Sequence, residues 1–161
     1  MSDDKKIQVS GTVAAPPAAV FALLADPARH AELDGAGMIK GLDSGPSPVA
    51  AVGDAFVMNM DQEGIGQYQM RSEVTTFEPD SAIAWAPAIH PAGSLSHIIG
   101  ELDPSGHVYG WELSPTSDGG TQITHTYDWN GVQDQEALGL YPRVSEEQMR
   151  GSIANLGNAL A

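Results

Sequence analysis

The chain has 161 residues, with 21 Asp and Glu against 7 Lys and Arg, a formal net charge of −14 and no cysteine. That length suits one domain with a sizeable core, spanning 1–161. The negative field repels phosphate backbones and anionic lipid surfaces, which argues against nucleic acid and membrane-surface partners, and the lack of cysteine excludes disulfides, thiolate nucleophiles and sulfur-ligated metals.

Met1-Ser2-Asp3-Asp4-Lys5-Lys6 leads into a strand-like segment and not into an apolar signal core. Residues 1–5 are expected to form a flexible N-terminus. No apolar run approaches membrane-spanning length, so the expectation is a cytoplasmic protein without membrane insertion. Ile7, Val9 and Val13 alternate with polar residues as the first strand, which Ala15-Pro16-Pro17 stops. Val20, Phe21, Leu23 and Leu24 then recur at helical spacing, and Asp26-Pro27 ends that helix and is expected to cap a second short one carrying Arg29, His30 and Leu33. From Asp34 to Val52 the composition of Gly, Pro, Ser and Ala leaves room for one short strand near Met38 to Leu42.

Phe56, Met58 and Met60 share a parity, as do Tyr68, Met70 and, without a bulge, Val74 beyond the turn at Gln62 to Gly66. This predicts a hairpin with an apolar, Met-rich face. After the turn at Glu78-Pro79-Asp80-Ser81, Ile83 and Trp85 point one way and Ala82, Ala84 and Ala86 the other. Pro87 to Gly106 reads as a long loop with a short element near Leu95 to Ile99. The stretch from His107 to Trp129 carries the clearest pattern. His107, Tyr109, Trp111 and Leu113 share one face, Ile123, His125, Tyr127 and Trp129 another, with polar residues between and a turn-rich Ser114 to Gly120 joining them. Ser145 before Glu146, Glu147 and Gln148 is a capping-box pattern, and Met149, Ile153, Leu156 and Leu160 stripe a long final helix.

The expectation is an α+β fold, a curved antiparallel sheet of about six to seven strands wrapped around the last helix, with two short helices after strand one. A strongly curved sheet is not filled along its whole length by one helix, and the unfilled end becomes a pocket. The residues expected to line it are Phe56, Met58, Met60, Tyr68, Met70, Ile83, Trp85, Tyr109, Trp111, Leu113, Ile123, His125, Tyr127, Trp129, Met149 and Ile153. The five histidines lack the spacings that build metal sites, so no metal and no cofactor are expected. No phosphate loop or nucleophile elbow occurs. His125, inward beside Tyr127 and facing the Tyr109 strand, is the candidate proton-transfer group; the same pattern suits a core histidine bonded to a tyrosine or water.

The runs Val20 to His30, Glu73 to Pro79, Tyr109 to Leu113 and Gly119 to Tyr127 resemble the polyketide cyclase/dehydrase and lipid-transport family of the START-like (SRPBCC) superfamily. The resemblance implies a helix-grip fold around a hydrophobic cavity. It implies binding or transport of a hydrophobic small molecule, lipid or aromatic polyketide-like, as the leading function, leaning away from enzymatic activity. The alternative is a cyclase or dehydratase acting through His125 with Tyr109 or Tyr127. A third reading, a protein-interaction module of the Hsp90-cochaperone type, requires a large exposed apolar patch in place of a void. The Pro87 to Gly106 segment looks longer than the family's usual connection.

Overall fold

The computed structural model describes residues 5–161, so the expected flexible N-terminus falls outside it except for Lys5, whose carbonyl accepts a hydrogen bond from the Trp129 N–H at 2.8 Å. Seven strands form one antiparallel sheet: β1 (Lys6–Val13), β2 (Ile39–Ser44), β3 (Ala55–Gln62), β4 (Gly66–Glu78), β5 (Ala82–His90), β6 (Val108–Pro115) and β7 (Thr121–Asp128), in the order β1-β7-β6-β5-β4-β3-β2. Two short helices, α1 (Pro17–Leu24) and α2 (His30–Leu33), follow β1; α3 (Ser96–Ile99) lies between β5 and β6, and α4 (Glu146–Ala159) closes the chain. This is the α+β helix-grip architecture.

The β6–β7 hairpin has the register its alternation dictates, with Leu113 opposite Ile123, Trp111 opposite His125 and Tyr109 opposite Tyr127. Along β4, Tyr68, Met70, Ser72 and Val74 face inward, and then a register shift between Val74 and Thr76 resets the parity so that Phe77 also turns in, edge-on to Phe21. The extra residue bends the sheet, which helps it curl over the helices.

Two expectations are corrected by the structure. Pro87 does not begin a loop, because β5 continues to His90 paired with β4. Its pairing with β6 ends at Trp85, and a proline is tolerated where one edge of the strand has no ladder partner. Asp26 does not cap the second helical segment; its carboxylate accepts the Ser47 hydroxyl, and Ser47 Oγ in turn accepts the Ala28 N–H at 3.1 Å.

The capping box of α4 forms as the sequence dictates, with Ser145 Oγ accepting from Gln148 N–H at 3.1 Å and Gln148 Oε1 accepting from Ser145 N–H at 2.9 Å. Met149, Ile153 and Leu156 are buried under it. The helix lies across β1, where Gly11 leaves room for Ile153, and α2 docks on it through Asn155 Nδ2, which donates to the Leu33 carbonyl at 3.2 Å. At Gly35 the chain passes so close that a Cβ would stand 2.1 Å from the Gln148 carbonyl oxygen. Gly35→Ala is therefore expected to lower stability by about 3 kcal/mol, since both clashing groups are backbone. Equilibrium denaturant unfolding measures this, and a loss below about 0.5 kcal/mol would contradict the tight α2–α4 junction.

Candidate functional site

The concave face of the sheet is filled unequally. Under α1 and α4 the core is dry: Val13, Val20, Phe21, Leu113, Ile123 and Leu156 are buried together. Past that packed end, between β3–β7, α2, α3 and the first turns of α4, lies a cavity of about 460 Å³. Its wall is mostly apolar.

Phe56, Met58, Met60, Tyr68, Met70, Trp85, Tyr109, Trp111, His125, Tyr127 and Met149 line the cavity, the first ten from the strands and Met149 from α4. Ile83, Leu113, Ile123, Trp129 and Ile153 do not; they are buried in the dry core or against other rings, Trp129 parallel to Tyr141 at 6.1 Å. Parity selects the face of a strand, and Ile83, Leu113 and Ile123 have the right face. Their position along it puts them where helices or loops already fill the space.

Several lining residues fall outside the set read from alternation. His30 follows from helical spacing with Leu33, both buried on the α2 face that looks into the sheet. Ser72 sits between Met70 and Val74 on the inward parity of β4. Tyr141, Leu95, Ile98 and Ile99 come from irregular or very short segments without a usable period. The Pro91 to Gly106 connection crosses the gap that opens where β5 parts from β6, and its α3 side chains roof the cavity there.

The rings in this wall are ordered by stacking. His125 lies on Trp111 at 3.6 Å and 10° between planes, Tyr109 on Tyr127 at 4.5 Å, and His30 on Trp85 at 4.8 Å with Phe56 edge-on. Each of three histidines is tied to a backbone carbonyl. His30 Nε2 is 2.7 Å from the Leu24 oxygen, His125 Nδ1 is 3.0 Å from the Gly110 oxygen, and His107 Nδ1 is 3.3 Å from the Pro104 oxygen and 2.9 Å from the Tyr141 hydroxyl. Burial disfavours their charged forms, lowering His30 below the usual imidazole range and pushing His107 and His125 down to about 4. All three are neutral imidazoles at neutral pH.

A carbonyl oxygen only accepts, so the proton of neutral His125 resides on Nδ1 and Nε2 carries a lone pair. That nitrogen has no partner among the described residues, and His125 lines the cavity. Tyr109 is held protonated, first by burial and then by the neighbouring Tyr127, whose own hydroxyl oxygen accepts the Arg143 N–H at 3.1 Å. The indole Nε1 of Trp111 is sealed in the wall with no hydrogen-bond partner among the described residues.

Of the charged lining groups, Asp34 is committed to the backbone, its carboxylate accepting from Ala36, Met38 and Ile39 N–H at 2.7–2.9 Å. Arg143 is exposed and stands at the rim. Arg71 points out, 3.7 Å from Glu73, and Arg29 and Arg150 pair with Glu32 and Glu146 on exposed helix faces. No group of three or more His, Asp or Glu among the described residues is arranged to hold a metal ion, and no helix among them is long and apolar enough to cross a membrane. The large apolar side chains most exposed among them are Val52, ahead of β3, and Ile98 in α3.

Residues 4–161 match the family model described as polyketide cyclase / dehydrase and lipid transport. Protein Rv0088 of Mycobacterium tuberculosis H37Rv, uncharacterized, is 31% identical over 97% of this chain, and MT0096 of strain CDC 1551, also uncharacterized, is 30% identical. The chain spans 64% of the length of these two relatives. Among solved structures, a protein from Arthrobacter aurescens superposes with a TM-score of 0.71 at 15% identity, covering 98% of this chain and 87% of its own. CV1439 from Chromobacterium violaceum gives 0.64 at 17% identity, covering 96% of both chains. DynU16, from the dynemicin biosynthetic locus, gives 0.60 at 18% identity, covering 98% of this chain and 47% of its own. At these identities the structural likeness speaks for the fold alone.

Proposed function

The chain belongs to the polyketide cyclase / dehydrase and lipid transport family, and from that premise we propose that its cavity binds a hydrophobic, ring-containing small molecule for carriage or sensing. The observation that carries this reading is the void of about 460 Å³ walled by stacked aromatic rings and methionines. A volume of that size accommodates a molecule of two to four fused or linked rings, and thioether side chains adapt to ligands of varied outline. The excess of acidic groups on the chain makes nucleic acid an unsuitable partner.

The neutral hydrophobic fluorophore N-phenyl-1-naphthylamine tests the reading. We expect saturable enhancement with a micromolar dissociation constant and a one-to-one stoichiometry. No enhancement, together with native mass spectra free of any retained small molecule, counts against a binding cavity.

A second reading is favoured by one feature, the unpartnered lone pair of His125 Nε2 on a cavity-lining ring whose centroid is 6.3 Å from that of Tyr109. Such a pair is what a cyclase or dehydratase acting on a polyketide-like substrate needs, with the imidazole taking a proton and the phenol giving one. The substitution His125→Ala separates the two readings. A carrier keeps its affinity for the naphthylamine within about threefold, whereas an enzyme acting through this group loses turnover by about 10²–10⁴-fold.

A further inference from the structure

The polar groups that line the cavity differ in what their own neighbours leave unsatisfied. Three hydroxyl donors are committed within the wall. Tyr68 gives its hydroxyl hydrogen to Gln62 Oε1 at 3.1 Å, Tyr141 gives its own to the Pro104 carbonyl, and Ser152 directs its own at the Gln148 carbonyl at 3.4 Å. Trp111 Nε1 carries a hydrogen but is sealed off. His30 and His125 each direct one ring N–H at a carbonyl, Leu24 and Gly110 respectively, which leaves His30 Nδ1 and His125 Nε2 as bare lone pairs without partners among the described residues. Both rings line the cavity, and both are held face-on by a tryptophan, Trp85 for His30 and Trp111 for His125, so neither swings away freely.

The lining hydroxyls of Ser72 and Tyr127 can still give or take a hydrogen, but the two imidazole nitrogens can only accept, so a ligand that brings a hydrogen is what satisfies them. We infer that the cavity selects molecules bearing a hydroxyl hydrogen, phenol or alcohol, on an apolar ring frame, and that His125 Nε2 is the principal group accepting it, with His30 Nδ1 as a second acceptor. This rests on the reading that the cavity binds a small molecule, and specifies which chemistry within that class is recognised. Neutral imidazoles do not pair with a carboxylate, so an acid of the same frame is disfavoured. At these two nitrogens a ligand offering only carbonyl or ether oxygens sets acceptor against acceptor. His125 is thus a specificity-determining residue.

Three probes of one ring frame test the inference at pH 7: 2-naphthol, 2-methoxynaphthalene and 2-naphthoate, each measured by displacement of N-phenyl-1-naphthylamine and by calorimetry. The expected order is naphthol tightest, about tenfold over methoxynaphthalene, with naphthoate weakest. In His125→Phe, which keeps a ring on Trp111 but removes the lone pair, affinity for naphthol falls at least threefold and affinity for methoxynaphthalene holds. The matched-probe comparison on the unsubstituted protein decides the matter even if that variant does not fold. Equal binding of naphthol and methoxynaphthalene overturns the inference and leaves the cavity reading standing. Naphthoate binding tightest also overturns it, in favour of anion capture by Arg143 at the rim. Failure of all three probes and of the fluorophore overturns both.

Discussion

Stability is expected to fall steeply as pH drops from about 6.5 to 4.5, well before most exposed carboxylates are neutralised. The cause is the buried imidazoles. His107 and His125 titrate near 4 in the folded chain against 6.5 for a solvated imidazole, because burial opposes their charging. Above pH 6.5 they are neutral in both states and contribute no slope. Between 6.5 and 4 the unfolded chain takes up protons that the folded chain refuses, so each pH unit lost favours unfolding, and each residue accounts for a loss on the order of 3 kcal/mol across that window. His30 acts in the same direction, opposed by its bond to the Leu24 carbonyl and by the charges of Asp26 and Asp34. The combined loss from His107 and His125 rivals the whole stability of an ordinary domain. Relief of repulsion among the surface acids works the other way, but it is spread over exposed, screened groups. Urea unfolding at pH 7.5, 6.5, 5.5 and 4.5 measures the proton uptake, expected to be about two to three protons near pH 5. His125→Phe should remove about one of them. A free energy unchanged between pH 7 and 4.5 would mean that these rings are solvated and the cavity wall is not as described.

The second large effect concerns the void itself. Ser72 is buried at the middle of β4 on the cavity side, opposite Phe56 on β3 and Pro87 on β5, and its hydroxyl holds no hydrogen bond among the described residues. In Ser72→Trp an indole projects into the space a ligand would use. Binding of N-phenyl-1-naphthylamine is expected to drop at least 100-fold. Thermal stability should hold within a few degrees, because added apolar atoms enter empty volume, where the usual overpacking cost of about 1–3 kcal/mol does not arise. The combination is diagnostic. A variant that loses stability by several kcal/mol indicates a tightly packed site, and one that binds the fluorophore as before indicates that the dye sits elsewhere.

The chain order of the elements, the faces of β3, β6 and β7, and the start of α4 were legible because each rests on a local rule. Alternation by two assigned Trp111, His125 and Tyr127 to the inside, and Ser145 with Gln148 marked a helix start through a short-range capping geometry. The resemblance carried by the helix starts and turns pointed to the right family. Length along a face is another matter. Leu113 and Ile123 share parity with Tyr109 and Tyr127, yet the first pair is covered by the dry core and the second borders the void, a distinction made by where α1 and α4 come to rest. Pro87 read as a break and proved to be strand, because what decides a proline's fate is whether its edge has a neighbour, and β6 has already parted from β5 there.

The sequence by itself determined which side chains turn away from water, since backbone periodicity and side-chain hydrophobicity are properties of a segment alone. Only the tertiary structure decided which of them meet one another and which face an empty volume. That outcome depends on how far two short helices and one long one reach across a bent sheet. It also decided the chemistry of His125: its neutral state comes from burial, and its bare nitrogen from a carbonyl on the adjacent strand, Gly110, fifteen residues away in the chain.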